Sequence, residues 1–421
     1  MPSDRQRARL WIVAMTMFLD LLGFGIIIPL MPHFARSFGA TPLAYGMLAA
    51  SYSLMQFLFV PVWGRLSDRV GRRPILLISI GGSVVSFLLL GTARSLGMLF
   101  AARILSGISA SNLSVAQAYV ADVTSPEDRT RGMGLIGAAF GLGFVVGPFV
   151  GGELSQLDLA LPLGLHLHAG TVPFFFSAVL SAVNWGLACA LLPESLPPAN
   201  RTAAAIRLLD LRRLEGVFAH REISGLFAVS FLFTMAFSMM EQTLILFGED
   251  RLGMRGVDAG KLLGFVGVLI VVVQGGLVGR LARRFGEGRL TVTGAAFMVP
   301  GLLLIPLAPA SRVAGYAVLY AAMVPLALGN GLLHPSLHAL LSRRCRGDEQ
   351  GGVLGLNQSL SSLARVAGPT TGGLLFQTLG IGTPFLAGGA IMLAAAVVAV
   401  SAVRPPARQA DRGPKAGGEA G

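Results

Sequence analysis

Long apolar stretches of this 421-residue chain contain four ionisable residues: Asp20, Arg103, Glu241 and Arg365. An ionisable group in such surroundings costs roughly several kcal/mol unless it is paired or hydrated, so each residue is a candidate functional group. Burial favours the protonated form of a carboxyl group, whereas a nearby arginine favours the ionised form. A carboxyl group balanced in this way can bind and release a proton as its access to water changes. This is the chemistry that coupling to a proton gradient requires.

Each of these residues also has a structural interpretation. Asp20 can form a static ion pair with Arg103, which needs a counter-charge that the middle of its own helix does not supply. Glu241 has fewer cationic neighbours in the sequence, and we predict that it binds protons or substrate. His334 and His338 lie four residues apart and therefore on one helical face. The pair can have either of two roles: a structural hydrogen bond or the transfer of protons.

The composition indicates that the apolar stretches span a membrane. Hydrophobic residues make up 53% of the chain and charged residues only 13%, against about a quarter charged in soluble domains. A helical span needs about 20 apolar residues, and the alternating segments typical of membrane β-barrels are not found in the sequence. We predict an all-α membrane protein with twelve spans: 10–34, 43–63, 75–93, 96–120, 132–152, 172–192, 223–247, 259–279, 290–308, 313–341, 352–378 and 382–403.

The basic residues predict the orientation of these spans. The two termini and the loops after even-numbered spans hold 25 of the 33 Lys and Arg residues, and the opposite loops hold six. Because basic loops stay in the cytoplasm, both termini are predicted to be cytoplasmic. The net charge of +12 then reflects contact with anionic lipid rather than with nucleic acid. The first span lacks a small-residue cleavage site and is predicted to be retained. The two cysteines, Cys189 and Cys345, indicate neither a disulfide framework nor a metal site.

An internal repeat divides the chain into two halves. The segment 147–152 recurs at 368–373, and Gly-Arg-Leu at 64–66 recurs at 279–281. Parallel repeats of this kind bind substrate near the membrane midplane, between the halves. We predict a six-helix bundle over 1–192, a cytoplasmic linker over 193–222, a second six-helix bundle over 223–403 and a disordered cytoplasmic tail over 404–421.

The fifth predicted span combines many glycines with a proline. Its glycines include Gly137, Gly141, Gly147, Gly151 and Gly152. They leave one side of the helix without side chains, and Pro148 removes a backbone hydrogen-bond donor. Ordinary close packing of helices explains one such glycine pair, but it explains this density less readily. The pattern therefore favours an interface that opens and closes.

Several segments resemble the major facilitator superfamily of transporters. In chain order they lie in the first and second spans, in the arginine-rich segment after the second span, and in the fourth and fifth spans. They are Asp20 with Gly23, Gly25 and Pro29; Tyr52 to Gln56; Gly64 to Pro74; Leu99, Arg103 and Gly107; and 137–152. The first two are similar to tetracycline efflux proteins, and the last is similar to the fifth helix of antiporters in this superfamily. In the second half, only Arg365 and 368–373 carry the likeness.

The resemblance implies a twelve-helix fold in two pseudo-symmetric bundles, in which the first, fourth, seventh and tenth helices line a central cavity. Together with the charged residues above, it predicts proton-coupling and substrate-cavity residues, which are Asp20, Gln56, Arg103, Glu241, Asn330 and His334. It predicts a conformational gating loop formed by Gly64, Asp68, Arg69, Gly71, Arg72 and Arg73. It predicts interface residues between the halves, which are Gly137, Gly141, Gly147, Pro148, Gly151, Gly152, Arg365, Gly368 and Pro369.

These observations predict a proton-coupled efflux antiporter for hydrophobic or amphiphilic drugs, acting as a monomer in a bacterial inner membrane. Its partners would be the small-molecule substrate, protons and the lipid bilayer, with no cofactor, no metal and no nucleic acid. A symporter or uniporter for a sugar, organic acid or other metabolite is the alternative, which the fifth-span motif disfavours. A membrane enzyme or receptor is disfavoured because the sequence has no HExxH or GxSxG motif. Tetracycline exporters carry an acidic residue in the ninth span, whereas 290–308 has none, so a different drug is favoured.

Overall fold

The computed structural model describes residues 4–125, 128–161, 165–168, 170–201, 221–344 and 350–403, and these residues are almost entirely helical. The helices are α1 (Asp4–Ile27), α2 (Met31–Ser37), α3 (Pro42–Val70), α4 (Arg72–Gly91), α5 (Leu96–Ser109), α6 (Leu113–Val123), α7 (Arg129–Leu154), α8 (Val172–Leu191), α9 (Arg221–Leu252), α10 (Gly256–Val272), α11 (Val278–Phe285), α12 (Glu287–Leu304), α13 (Arg312–Arg344), α14 (Gln350–Leu379) and α15 (Thr383–Val403). Short 3-10 turns lie at Ala110–Asn112, Pro198–Asn200 and Ile305–Leu307, and a π-helical segment lies at Val273–Leu277. One small antiparallel hairpin, β1 (Leu159–Leu161) and β2 (Leu165–Leu167), precedes α8.

The helices match the predicted membrane spans. Within the described ranges, eleven helical segments are long and apolar enough to cross a bilayer, with α5 and α6 forming one and α10 and α11 another. Helix α14 covers the remaining predicted span. With 30 residues it is about 45 Å long, which exceeds the roughly 30 Å of a bilayer core. It is more polar than the other spans, and its polar residues Gln358, Ser362 and Arg365 face a cavity inside the protein. The predicted all-α membrane fold is confirmed.

The helices pack mainly within two groups. In the first, α1 packs on α7 and α8, and α4 packs on α5 and α8; in the second, α9 packs on α14 and α15, and α12 packs on α13 and α15. Two helix pairs, α3 with α14 and α7 with α10, join the groups. The residue ranges predicted for the two bundles, 1–192 and 223–403, stay a prediction. Of the predicted linker, 202–220 lies outside the described residues, as does the whole predicted tail, 404–421.

The arginine-rich segment between the second and third spans differs from its prediction as a loop. Helix α3 continues to Val70 and α4 begins at Arg72, so Gly71 alone connects them. Its φ of 116° lies in a region that only glycine adopts without strain. The repeat places Gly286, with φ 80°, in the same role between α11 and α12. Charged residues occupy the ends of membrane helices as well as loops, so the charge density of this segment does not distinguish the two.

The first predicted span, 10–34, is also shorter than predicted. Helix α1 ends at Ile27, a turn follows, and α2 begins at Met31. Pro29 explains the break, because it has no N–H to donate and disfavours helix at the residue before it. Helix α2 therefore lies beyond the apolar span and carries Arg36, a residue that connects the two halves.

The halves are in contact at one end of the molecule, here called the Arg36 end. Arg36 donates to both carboxylate oxygens of Asp250, at 2.5 and 3.1 Å, and lies 3.3 Å from Glu249. Lys261 lies 3.7 Å from Glu153. The opposite end, which carries Gly71 and Gly286, is here called the hairpin end. The ion pairs found there among the described residues, such as Arg343 with Glu287 at 2.9 Å, lie within one half. The protein is therefore closed at the Arg36 end.

Candidate functional site

A cavity of about 460 Å³ lies between the two halves. Along α3 it extends from Tyr45 to Val60, a rise of about 22 Å at 1.5 Å per residue. Helices α1, α9 and α13 and the α5–α6 segment, which are the first, seventh, tenth and fourth spans, line it as expected, and α2, α3, α4, α7 and α14 contribute as well. Seven of the predicted site residues line it: Asp20, Gln56, Arg103, Glu241, His334, Arg365 and Pro369. Asn330, which was predicted to line the cavity, is partly buried and is not among its lining residues.

Asp20 is bound by two neutral side chains. Ser83 donates to its Oδ1 at 3.2 Å, and the Asn112 amide donates to its Oδ2 at 3.2 Å. Only 8% of Asp20 is exposed. The alternative of a static ion pair with Arg103 is wrong, because among the described residues the carboxylate accepts from Ser83 and Asn112 instead. Neutral donors can hold the group in place whether or not it carries a proton.

Arg103 lies against aromatic rings rather than against a carboxylate. Its guanidinium carbon is 4.6 Å from the centre of the Tyr52 ring and 5.7 Å from that of Phe24, and these two rings stack at 4.8 Å. A cation over an aromatic face gains about 0.5–2 kcal/mol. Its Nε is buried and has no hydrogen-bond partner among the described residues. The aromatic rings therefore stabilise the charge but leave donors unused.

Glu241 faces the cavity from the other half. Its neighbour Gln242 accepts a hydrogen bond from the Tyr45 hydroxyl at 2.7 Å, which joins α9 to α3 across the seam. Arg365 donates to Ser362 at 3.4 Å and interacts electrostatically with Glu241. No hydrogen bond or ion pair of Glu241 itself is found among the described residues. Arg365, which was predicted as an interface residue, is thus the cation that acts electrostatically on the Glu241 carboxyl group.

The two histidines on α13 form a pair of rings tilted by 53° at the cavity wall. Their ring centres are 4.7 Å apart, and Phe233 lies 6.2 Å from the His334 ring. Both histidines line the cavity. Within the described part of the chain, no group of three or more His, Cys, Asp or Glu residues is arranged to hold a metal ion.

The predicted gating segment forms an ion-pair cluster at the hairpin end. Arg72, only 7% exposed, lies 2.6 Å from Asp68 and 3.1 Å from Asp122. Glu194 accepts from the backbone N–H of Arg72 at 2.9 Å and of Arg73 at 3.3 Å. A carboxylate at the first turn of a helix is favoured by the helix dipole. The cluster thus fixes the start of α4 to the segment that follows α8.

Arg73, Arg69 and Gly64 complete this segment. Arg73 donates to the Cys189 carbonyl at 2.7 Å, and Arg69 is partly buried. A Cβ placed on Gly64 would lie 3.6 Å from the Ser114 hydroxyl. The gating role predicted for these residues stays a prediction.

The predicted interface glycines divide into two groups. A Cβ on Gly147 would lie 2.7 Å from Gly25 of α1, and one on Gly152 would lie 3.0 Å from Gly256 of α10. Gly151 approaches α1 and Gly368 approaches α9 more closely still, each within its own half, as Gly147 does; only Gly152 approaches the other half. In contrast, a Cβ on Gly137 or Gly141 would meet nothing within 4 Å. The empty positions lie towards the hairpin end of α7.

Sequence reasoning missed several polar residues that shape the site: Tyr45, Ser83, Asn112 and Gln242. Neutral polar residues are tolerated in membrane helices far better than charges, so they gave no comparable signal. Asn112 belonged to no recognisable motif. Tyr45 and Tyr52 lie seven residues apart and thus on one face of α3, which was the available signal.

Comparison with known proteins agrees with this architecture. A sequence model of the Major Facilitator Superfamily matches residues 13–369 and 279–420. The chain is 36% identical over 363 residues to tetracycline resistance protein, class C, of Escherichia coli, which covers 84% of this chain and 86% of that protein. It is 29% identical to multidrug resistance protein 2 of Bacillus subtilis, over 93% of this chain and 94% of that protein. The crystal structure of the human organic anion transporter MFSD10 superposes with a TM-score of 0.70 at 27% identity, covering 95% and 100% of the two chains. Since the helices, the repeat and the central cavity all agree with these matches, the chain is a multi-pass membrane protein that belongs to the Major Facilitator Superfamily.

Proposed function

We propose that this protein is a proton-coupled antiporter that exports hydrophobic or amphiphilic small molecules by alternating access. One observation carries the proposal: carboxyl groups from different halves, Asp20 and Glu241, line the same cavity at the seam between the halves. The relatives named for tetracycline and multidrug resistance support export of drugs. The proton gradient supplies the energy, and the monomer needs no cofactor.

The distribution of basic residues supports an orientation with the hairpin end in the cytoplasm. The contacts at the Arg36 end then close the periplasmic side of a bacterial inner membrane. In this orientation the described conformation gives access to the cavity from the cytoplasm. A substrate would enter from the cytoplasm or the inner leaflet and leave after the halves rock.

The two carboxyl groups have different surroundings and therefore different parts in the proposal. Asp20 is held by Ser83 and Asn112, so its position is fixed in this conformation. Glu241 has no described hydrogen bond, and Arg365 is its nearby cation. Glu241 is thus free to exchange a proton for a substrate group, while Asp20 is a second carboxyl group that takes up and releases a proton from a fixed position.

The glycines of α7 support a specific mode of closure at the hairpin end. Helices α7 and α10 are antiparallel, with Gly152 against Gly260 and Val145 against Gly267. If this register continues towards the hairpin end, Gly137 of α7 lies opposite Gly275, and Gly134 of α7 lies beside Gly279. All four of these positions are glycines, and a Cβ on any of them would meet nothing within 4 Å. When the Arg36 end opens, these surfaces can meet without steric hindrance.

Tetracycline itself is not favoured as the substrate. The predicted ninth span, 290–308, has no acidic residue, and the acid of α12, Glu287, lies at the hairpin end paired with Arg343 at 2.9 Å. The cavity instead combines aromatic rings with a few charges, which suits amphiphilic compounds.

The test is transport of ethidium in everted membrane vesicles with and without a pH gradient. Wild type should accumulate the dye only when the vesicle interior is acidic, and Asp20→Asn and Glu241→Gln should each abolish the response to the gradient. Asp258→Asn, which removes a carboxylate paired with Arg312 at 3.3 Å within the second half and outside the cavity lining, is the matched control and should respond as wild type does. Equal transport by wild type and both cavity variants would refute proton coupling. Gradient-driven movement in the opposite direction would favour the symporter.

A further inference from the structure

The charged groups of the cavity differ in how many hydrogen bonds they form with the rest of the protein. Asp20 accepts two hydrogen bonds, and Arg365 donates to Ser362. Among the described residues, by contrast, the buried Nε of Arg103 has no hydrogen-bond partner, and no hydrogen bond of Glu241 is found. The groups that remain to be satisfied are thus one cation from the first half and one anion from the second.

An unsatisfied charged group inside a protein is costly. A buried polar group that loses its hydrogen-bond partner is destabilising, and a buried charged group without a partner is more so. Arg103 is only 8% exposed, so water reaches it poorly, and its contacts with Tyr52 and Phe24 leave its donors free. A ligand that supplies an acceptor to Arg103 and a positive group to Glu241 would remove both penalties.

The two groups lie along one wall of the cavity. Tyr45 and Tyr52 lie on the same face of α3, about 10 Å apart. Arg103 lies over Tyr52, and Tyr45 is bonded to Gln242, the residue after Glu241. Tyr45 also interacts electrostatically with both Arg103 and Glu241. The wall between the two charges is therefore aromatic.

The charge balance of the cavity selects further among ligands. With both acids ionised, Asp20, Glu241, Arg103 and Arg365 carry no net charge. A ligand with a net charge would leave an uncompensated charge in a poorly hydrated site, which is costly. A ligand with one charge of each sign leaves the balance unchanged. The other titratable groups that line the cavity are Tyr45, Tyr52, His334 and His338.

We propose that the preferred substrates are zwitterionic amphiphiles, in which an aromatic body separates an anionic group, bound by Arg103, from a cationic group, bound by Glu241. This inference rests on the proposed function and names its substrate class. A proton on Glu241 removes the attraction for the cationic group, so proton and substrate exclude each other at this residue, as antiport requires. Arg103 holds the anionic group and sets the orientation of the ligand.

The test compares two dyes with the same aromatic body. Rhodamine B carries a free carboxylate and a cationic ring system, and its ethyl ester is a cation. Binding to the purified full-length protein is measured by fluorescence polarisation. Wild type should bind rhodamine B about tenfold more tightly than the ester, which corresponds to about 1.4 kcal/mol. Fluorescein, an anion with a related ring system, should bind more weakly than rhodamine B.

Variants assign the preference to one residue. In Arg103→Met the ratio of the two dissociation constants should fall to about one, whereas in Arg365→Met it should persist, because Arg365 already donates to Ser362. Equal binding of both dyes by wild type would overturn the inference, and so would an unchanged ratio in Arg103→Met. The wild-type comparison decides the matter even if a variant fails to fold.

The outcome is distinguishable from failure of the proposed function. If rhodamine B is preferred but no pH gradient drives its transport, proton coupling is refuted and the substrate class stands. If the gradient drives export of the ester and rhodamine B equally well, the substrate class is refuted and proton coupling stands.

Discussion

The close contact between α7 and α10 predicts that one methyl group will shift the balance between conformations. A Cβ on Gly260 would lie 2.5 Å from the Pro148 carbonyl oxygen and 3.0 Å from the Gly152 Cα. Both neighbours are backbone atoms, so neither can rotate away. Overpacking of this kind costs about 1–3 kcal/mol. In Gly260→Ala the penalty falls on the conformation closed at the Arg36 end and disappears when that end opens, a shift of about 5- to 150-fold.

The assay measures access to the cavity from outside the cell. Ala49, which lines the cavity and is 7% exposed, is replaced by cysteine in a variant with Cys189→Ser and Cys345→Ser. A membrane-impermeant maleimide added to intact cells labels this cysteine only when the Arg36 end is open. The labelling rate therefore reports the population of that conformation. Gly260→Ala should raise the rate by about 5- to 150-fold.

The matched control is Gly137→Ala on the facing helix. A Cβ there would meet nothing within 4 Å in the described conformation, but it would crowd the closure proposed for the hairpin end. Labelling from outside should therefore stay at the wild-type rate or fall. An unchanged or lower rate in Gly260→Ala would refute the reasoning, as would an equal increase in Gly137→Ala.

Two further predictions concern charges at the ends of the molecule. Arg72→Leu leaves Asp122 without its buried partner and should destabilise the protein by about 3–5 kcal/mol, measured by thermal melting in detergent. Arg343→Leu removes an exposed pair and should cost about 0–1 kcal/mol; an equal loss in both would contradict the role of burial. Arg36→Ala should raise outside labelling, and Arg36→Lys should raise it less. The hydrogen bond to Asp250 raises the pKa of Arg36 above its ordinary value, so its contribution is complete below the unfolded-state pKa and is lost only as pH rises through the folded one. If the labelling rate of wild type rose to that of Arg36→Ala between about pH 6 and 9, Arg36 would have lost its charge there, which would contradict this prediction.

The sequence located the charged part of the site because of the cost of burying charge. Asp20, Arg103 and Glu241 stood out from apolar surroundings, and all three line the cavity. Their partners could not be predicted, because Ser83 and Asn112 are ordinary in a membrane helix and lie far along the chain from Asp20. The ion pair expected between Asp20 and Arg103 failed for the same reason: charge indicates that a partner is needed but not which one is near.

The boundaries of the elements show the same division. Hydropathy located the spans, since each must cover the bilayer core, but it could not tell a charged loop from the charged ends of α3 and α4. Gly71 decided that point through its positive φ, a backbone property. Proline at 29 could have indicated the end of α1.

The amino-acid sequence by itself determined the membrane class, the internal repeat and the few charges that must face a cavity. These follow from local composition and from the cost of burying charge in a bilayer. Only the tertiary structure decided that the Arg36 end is closed, that Arg103 lies over Tyr52, and that Ser83 and Asn112 bind Asp20. These contacts join residues far apart in the chain, and their geometry depends on how two rigid bundles meet.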